Sequence, residues 1–240
     1  MSYTVEMTDS TAADSTAADS TASDKTAADS TRTDGYSPAA HGDAPSSLRA
    51  EQVAQTRAAL VAAGRQLFGT SGYAATSVED IARAARVTTG ALYHHFPTKA
   101  AVFEAVFEQV HADLMAASMA AAAGTTNAID LLAAGFGAFL DKVLEPEVQR
   151  IIVTDAPAVL GLARFTELDE RYAFAATVAA LEAANAAGAL HVDDPPTLAR
   201  LLLGALTRAG LLIASSSEPA ATRDAVAATM RALISGFAAH

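Results

Sequence analysis

The sequence holds no cysteine, which excludes disulfide frameworks, thiolate nucleophiles and cysteine-ligated zinc. It also lacks an HExxH pair, a phosphate-cradling loop of the GxxxxGK type and a GxSxG nucleophile elbow. No catalytic residues, metal or cofactor are therefore expected, and the chain does not read as an enzyme. No segment alternates in the manner of a strand, and much of the 51% hydrophobic content is alanine, the best helix former. The fold expected is all-α. The first residues, "MSYTVEMTDS", have neither a basic start nor an apolar run, so no secretory leader is expected. The longest apolar stretch, "LARLLLGALTRAGLLIA", is interrupted by Arg200 and Arg208 and reads as a buried helix rather than a membrane span. A cytoplasmic protein without membrane contact follows.

Charge is distributed unevenly. Residues 1–47 carry two basic and eight acidic side chains, and residues 102–240 carry eight basic and sixteen acidic. Between them, residues 48–101 carry six basic and three acidic. An acidic chain, net −11 overall, binds nucleic acid if its cations gather on one face, and only this middle block is positive.

The N-terminal tail repeats a five-residue unit, with aspartate at Asp9, Asp14, Asp19, Asp24, Asp29 and Asp34. That period suits neither helix nor strand, and the unit has nothing large to bury, so residues 1–47 are expected to be a disordered acidic tail and linker. Helical spacing starts near Leu48, with Val53, Leu60, Val61, Gly64, Leu67 and Phe68 on one face. Gly69 and Gly72 stop it. Thr76 and Glu79 fit a capping box for a second helix to residue 85, with Val78, Ile81 and Ala82 inward. Thr88 caps a third to about His95, which Pro97 closes, and Thr98 caps a long fourth that fades near Gly124. Further helices are expected over 127–144, 147–160, 165–187, 196–214 and 219–238.

The run "TTGALYHHF" (88–96) places a glycine near the start of a short helix and rings in its last turn. Two short helices joined by a tight turn form a helix-turn-helix, here over 77–96, whose second helix fits a DNA major groove. A glycine at its start admits a close backbone approach, and the helix N-terminus favours phosphate. Tyr93 and His94 lie one turn on from Thr89 and Gly90, while Leu92, His95 and Phe96 face the core. Adjacent helical residues diverge by about 100°, so His94-His95 is not a metal pair.

The stretch "TRAALVAAGRQLFGTSGYAATSVEDIARAARVTTGALYHHFPTKAAVF" (56–103) resembles the DNA-binding domain of the TetR family of transcriptional repressors. The resemblance covers about residues 54–114. It implies a helix-turn-helix domain, taken as 48–104, and a larger helical domain, 105–240, that binds a small ligand and dimerises. It further implies DNA contacts from Ser77, Thr88, Thr89, Gly90, Tyr93 and His94, with Thr76 and Lys99 reaching phosphates. The chain departs from the family where Arg86 replaces the usual turn glycine, which adds a cation near DNA, and where Ala100-Ala101 replace a common acidic residue.

The second domain is less legible. Phe107, His111, Met115 and Phe136 are candidates to line a ligand cavity, as are Phe139, Phe165 and Tyr172, with plain core packing the alternative for each. Asp155 sits in the apolar stretch "IIVTDAPAVLG" and needs a partner. Arg150, Arg164 or a ligand cation would serve, and so would a capping role before Ala156-Pro157. This stretch with "FTELDERY" also resembles the C-terminal domain of one TetR subgroup. The last two helices form the candidate dimer surface, through Leu202, Gly204, Leu206, Ala209, Gly210 and Ile213, with intramolecular packing the alternative. The expected protein is thus a homodimeric repressor, released from a near-palindromic operator in double-stranded DNA by an unidentified small molecule. A hydrolase using Asp155 and His111, or a nucleoid-type protein binding DNA without sequence preference, are the competing classes.

Overall fold

The first helix starts four residues ahead of Leu48, where helical spacing begins. The computed structural model describes residues 44–239, and α1 spans Ala44–Ser71. Pro45 falls in its first turn, where a missing N–H costs nothing. The pentad tail lies outside the described residues. Val53, placed on the inward face by spacing, is 46% exposed because the core begins only at Leu60. Gly72, at φ 83°, stops the helix. Gly69 instead lies within it, where a Cβ would come within 2.7 Å of Glu147 Cγ, so the glycine permits close packing of α1 on a later segment.

The helix-turn-helix is α2, Val78–Ala84, and α3, Thr89–His95. The capping box sits one residue later than the spacing of Thr76 and Glu79 implies. Ser77 is the N-cap, its Oγ accepting from the Asp80 N–H at 3.0 Å. Thr76 is buried, its hydroxyl donating to the Gly72 carbonyl at 2.8 Å. Thr88 and Thr98 cap α3 and α4 as expected. The turn closes with two backbone bonds, Val87 N–H to Ala82 O (2.9 Å) and Arg86 N–H to Arg83 O (3.1 Å). That pattern requires a left-handed residue past the helix end. Arg86 supplies it at φ 59°, the only non-glycine residue with positive φ among those described.

Helix α4, Lys99–Ala122, is unbroken across residue 104. Its first half buries Val102, Phe103 and Val106 within one core that also holds Leu60, Phe68, Ile81, Leu92 and Phe96. Then follow α5 (Ala128–Val143), α6 (Pro146–Val148), a π-helical stretch (Gln149–Asp155), α7 (Ala156–Leu160) and α8 (Leu162–Ala186). The helix expected over 147–160 is therefore not one regular α-helix. Helices α9, Pro195–Ala214, and α10, Pro219–Ser235, complete the order. Among the described residues the only bridge is an isolated antiparallel one, Leu190 with Ala238.

Polar contacts tie α1 and the loop after it to distant helices. Arg65 reaches Asp113 on α4 at 2.5 Å and Glu147 on α6 at 2.6 Å. The Asp155 carboxylate accepts from the Tyr73 backbone N–H at 2.8 Å, and Arg150 donates to the Thr70 carbonyl at 3.1 Å.

Because a side chain at φ 59° is strained, Arg86→Gly should raise stability by roughly 0.5–1 kcal/mol. This is the left-handed penalty less the larger unfolded-state entropy of glycine. Urea titration of both proteins measures it. A destabilised variant would mean that the arginine side chain contributes to the fold.

Candidate nucleic-acid interface and internal cavity

Leu92 and Phe96 are buried at 0% and 3% exposure and hold α3 by one side. Its other side is left to solvent: Thr88, Gly90, Tyr93 and His94 are exposed, Tyr93 at 50%. Thr89 and His95 are half-buried. A Cβ on Gly90 would meet only Thr88 Oγ1, at 3.9 Å. Among the described residues no packing contact requires glycine there, and its backbone is open to solvent. Arg86 is exposed beside this face.

Three expected contacts are placed differently. Thr76 is 3% exposed with its hydroxyl committed to Gly72. Lys99 Nζ donates to the carbonyls of Tyr73 (2.8 Å) and Thr76 (2.9 Å) and lies 4.1 Å from the Tyr73 ring centroid. Two of its three donors thus fasten the loop before α2, beside the Tyr73 N–H that Asp155 holds. The Ser77 hydroxyl donates to Asp80 at 2.6 Å. These hydrogen bonds fasten the loop before α2 and the first turn of α2 within the protomer.

A cavity of about 160 Å³ lies among α4, α5, α8 and α9. Of the expected ligand contacts, His111, Met115, Phe136 and Phe139 line it. Phe107 is fully buried core, and Phe165 lines a smaller adjoining space. Tyr172 stacks on His111 with centroids 5.6 Å apart rather than lining the cavity. Asp155 is not a lining residue either; its partner is the Tyr73 N–H, which also removes the proposed pairing of Asp155 with His111 in a common pocket. Asp169, Ser118, Thr177 and Thr207 were not foreseen, and they supply most of its polarity.

His111 and Asp169 are an unusual pair. Nε2 of His111 lies 3.6 Å from Asp169 Oδ1, beyond hydrogen-bond distance, and has no other partner among the described residues. Burial lowers the His111 pKa to about 4, so the ring is neutral at pH 7 and the contact is not an ion pair. Burial, with some repulsion from Glu170, raises Asp169 to about 6. The three hydroxyls are already spent on backbone carbonyls: Ser118 on Gly135, Thr177 on Ala173 and Thr207 on Leu203.

The dimer candidates on α9 are mostly inward. Leu202, Leu206, Ala209 and Ile213 are at most 5% exposed, Gly210 packs 3.1 Å from Val153 Cγ2 through the position a Cβ would take, and only Gly204 is open. The outward stripe is instead Leu201, Gly204, Arg208, Leu211 and Leu212. With Ala221, Ala225 and Leu233 of α10, Arg208 and Leu212 edge a shallow apolar groove. By length and composition α9 is apolar enough to cross a membrane, but one face is buried on its own protomer.

Two family profiles match. Residues 60–106 match that described as "Bacterial regulatory proteins, tetR family", and residues 129–237 match "Tetracyclin repressor-like, C-terminal domain". Among solved structures, a TetR-family transcriptional regulator from Pectobacterium atrosepticum is 32% identical, with a TM-score of 0.71, covering 79% of this chain and 97% of that one. The Tn10 TetC protein of Escherichia coli is 28% identical over 122 residues, 51% of this chain and 61% of that protein. The regulator TtgR of Pseudomonas putida is 39% identical over 61 residues, 25% of this chain and 29% of that protein. The chain thus spans less than two thirds of these curated relatives.

The raised Asp169 pKa carries a stability cost. Folding favours its protonated form, so that contribution is full below about pH 4 and is lost as pH rises through about 6. Asp169→Asn should therefore stabilise the protein at pH 7.5 by on the order of 2 kcal/mol, with the difference shrinking toward pH 4. Chemical denaturation at the two pH values tests this, and a variant less stable at pH 7.5 would contradict it.

Proposed function

The chain belongs to the TetR family of DNA-binding transcriptional regulators, and on that premise we propose that it is a cytoplasmic, homodimeric repressor. It binds a near-palindromic operator and is released by a small molecule held among α4, α5, α8 and α9. The observation that carries this reading is the exposed face of α3. Gly90 is bare with no internal reason to be, and Tyr93 and Thr88 flank it on a helix anchored only from behind. A helix so mounted inserts its N-terminal turn into the major groove, with Thr88, Thr89, Tyr93 and His94 toward bases and phosphates and Arg86 toward the backbone.

Two further features support the regulatory part. The cavity is ring-sized, largely apolar and is lined by His111, whose buried Nε2 has no partner among the described residues, which is the composition of a small-ligand site. The stripe Leu201, Leu211, Leu212 with Leu233 of α10 exposes apolar area that a second copy would cover. A two-fold pair of protomers would then present two reading helices to half-sites about one helical turn apart, or multiples of it. Ligand affinity that differs between the DNA-competent and released states sets the response. The enzyme reading finds less support, since Asp155 and His111 serve different surroundings.

Selection of DNA fragments by the purified protein should enrich an inverted repeat. Against that sequence Tyr93→Ala should lose roughly 1–3 kcal/mol per protomer in affinity while folding normally, because the ring is half in solvent. Arg86→Gly should lower the slope of affinity against salt. No enriched sequence, or undiminished affinity in Tyr93→Ala, would overturn the assignment.

A further inference from the structure

The cavity's lining sets limits on what it holds. It contains no lysine or arginine and does contain the Asp169 carboxyl, so an anionic ligand would meet repulsion and no countercharge. The Ser118, Thr177 and Thr207 hydroxyls have given their protons to backbone carbonyls and have only lone pairs left. The His111 and Asp169 side chains remain. With the carboxylate ionised, the imidazole tautomer bearing its proton on Nε2 is favoured, since the alternative sets two acceptors 3.6 Å apart. A donor then faces an acceptor at a separation too long for them to satisfy each other.

A hydroxyl group is both donor and acceptor. Its oxygen, about 2.8 Å from both atoms, would accept from Nε2–H and donate to Oδ1; Nε2 is closed to solvent without ligand, so the two side chains must part to admit it. Resting on the effector-cavity reading above, we propose that this site takes a small neutral hydroxylated hydrocarbon. Its hydroxyl bridges His111 Nε2 and Asp169 Oδ1, and its apolar body lies among Leu114, Met115, Phe136 and Phe139. The cavity's 160 Å³ is close to the roughly 150 Å³ of an apolar protein cavity that accepts benzene, so a body of about one ring fills it. An ammonium ligand would find the Asp169 carboxylate but, having no acceptor, would leave Nε2–H unpaired. A plain hydrocarbon fills the volume but leaves Nε2 unpaired.

Isothermal titration of the full chain with four probes of similar size tests the assignment: 4-ethylphenol, ethylbenzene, phenethylamine and benzoate. The expected result is tightest binding of 4-ethylphenol, at least tenfold over ethylbenzene, with the benzoate weakest. Asp169→Leu should remove that tenfold preference while ethylbenzene still binds, which shows that the variant is folded. His111→Phe, which keeps the stack on Tyr172, should remove it independently. Equal affinity for 4-ethylphenol and ethylbenzene, tightest binding of phenethylamine, a preference that survives both variants, or no binding of any probe would each overturn the proposal. Enrichment of an operator by the same preparation is measured separately, so failure of the ligand class is distinguishable from failure of the regulator reading.

Discussion

One unbroken helix carries the account. From Lys99 to Ala122, α4 has no internal break, yet its two halves belong to different surroundings. Its first turns bury Val102, Phe103 and Val106 in the core beneath α3, and Lys99 fastens the loop before α2. Its later turns present His111, Met115 and Ser118 to the cavity. A helix transmits axial and tilting displacement because each turn is bonded to the next, so the wall of the cavity cannot move far without moving the seat of the reading helix. The π-helical stretch adds a second connection: Ile152 and Val153 line a space beside the cavity, and Asp155 at its end holds the Tyr73 N–H. Wide turns of this kind recur at functional positions within helices.

Three features cost stability and return nothing to the fold. Arg86 is held at a positive φ that glycine would adopt freely. His111 buries Nε2 without a partner beside the partly buried Asp169 carboxyl. The stripe Leu201, Leu211, Leu212 leaves apolar area in water. Each lies where the regulator reading puts an outside partner: DNA beside Arg86, an effector at His111, a second protomer on α9. Uncompensated costs gathered at three such places are what separates this reading from that of an inert helical bundle.

The helix-turn-helix was legible because its signals are local. Thr88 and Thr98 as caps, Gly72 as a stop and the inward set Val78, Ile81, Ala82 and Leu92 depend on near neighbours and periodicity alone. Local signals do not suffice where tertiary contacts decide. Thr76 and Ser77 are equally good caps by type, and only the burial of Thr76 under Gly72 separates them. Lys99 reads as a free cation until two carbonyls of a loop more than twenty residues earlier are seen to hold it. Asp169 is hidden in the charged run "ELDER", which resembles a solvated face. Its signal was the small-residue stripe that follows it, Ala173, Ala176, Thr177 and Ala180 at four, seven, eight and eleven residues on. On α9 nearly every position is apolar, so pattern could not choose between the inward Leu202 and Leu206 and the outward Leu201 and Leu212.

The central claim is that the cavity and the paired reading helices are mechanically linked. The absence of cysteine gives direct access to it. Replacing exposed Glu79 on α2 by cysteine creates a single site for a spin label on each protomer. Dipolar spectroscopy then reads the distance between the two heads of the proposed dimer. The account predicts a measurable label-to-label distance, narrowed by operator DNA and shifted when 4-ethylphenol saturates the cavity. A distance distribution indifferent to both, or no dipolar coupling at all, would contradict it.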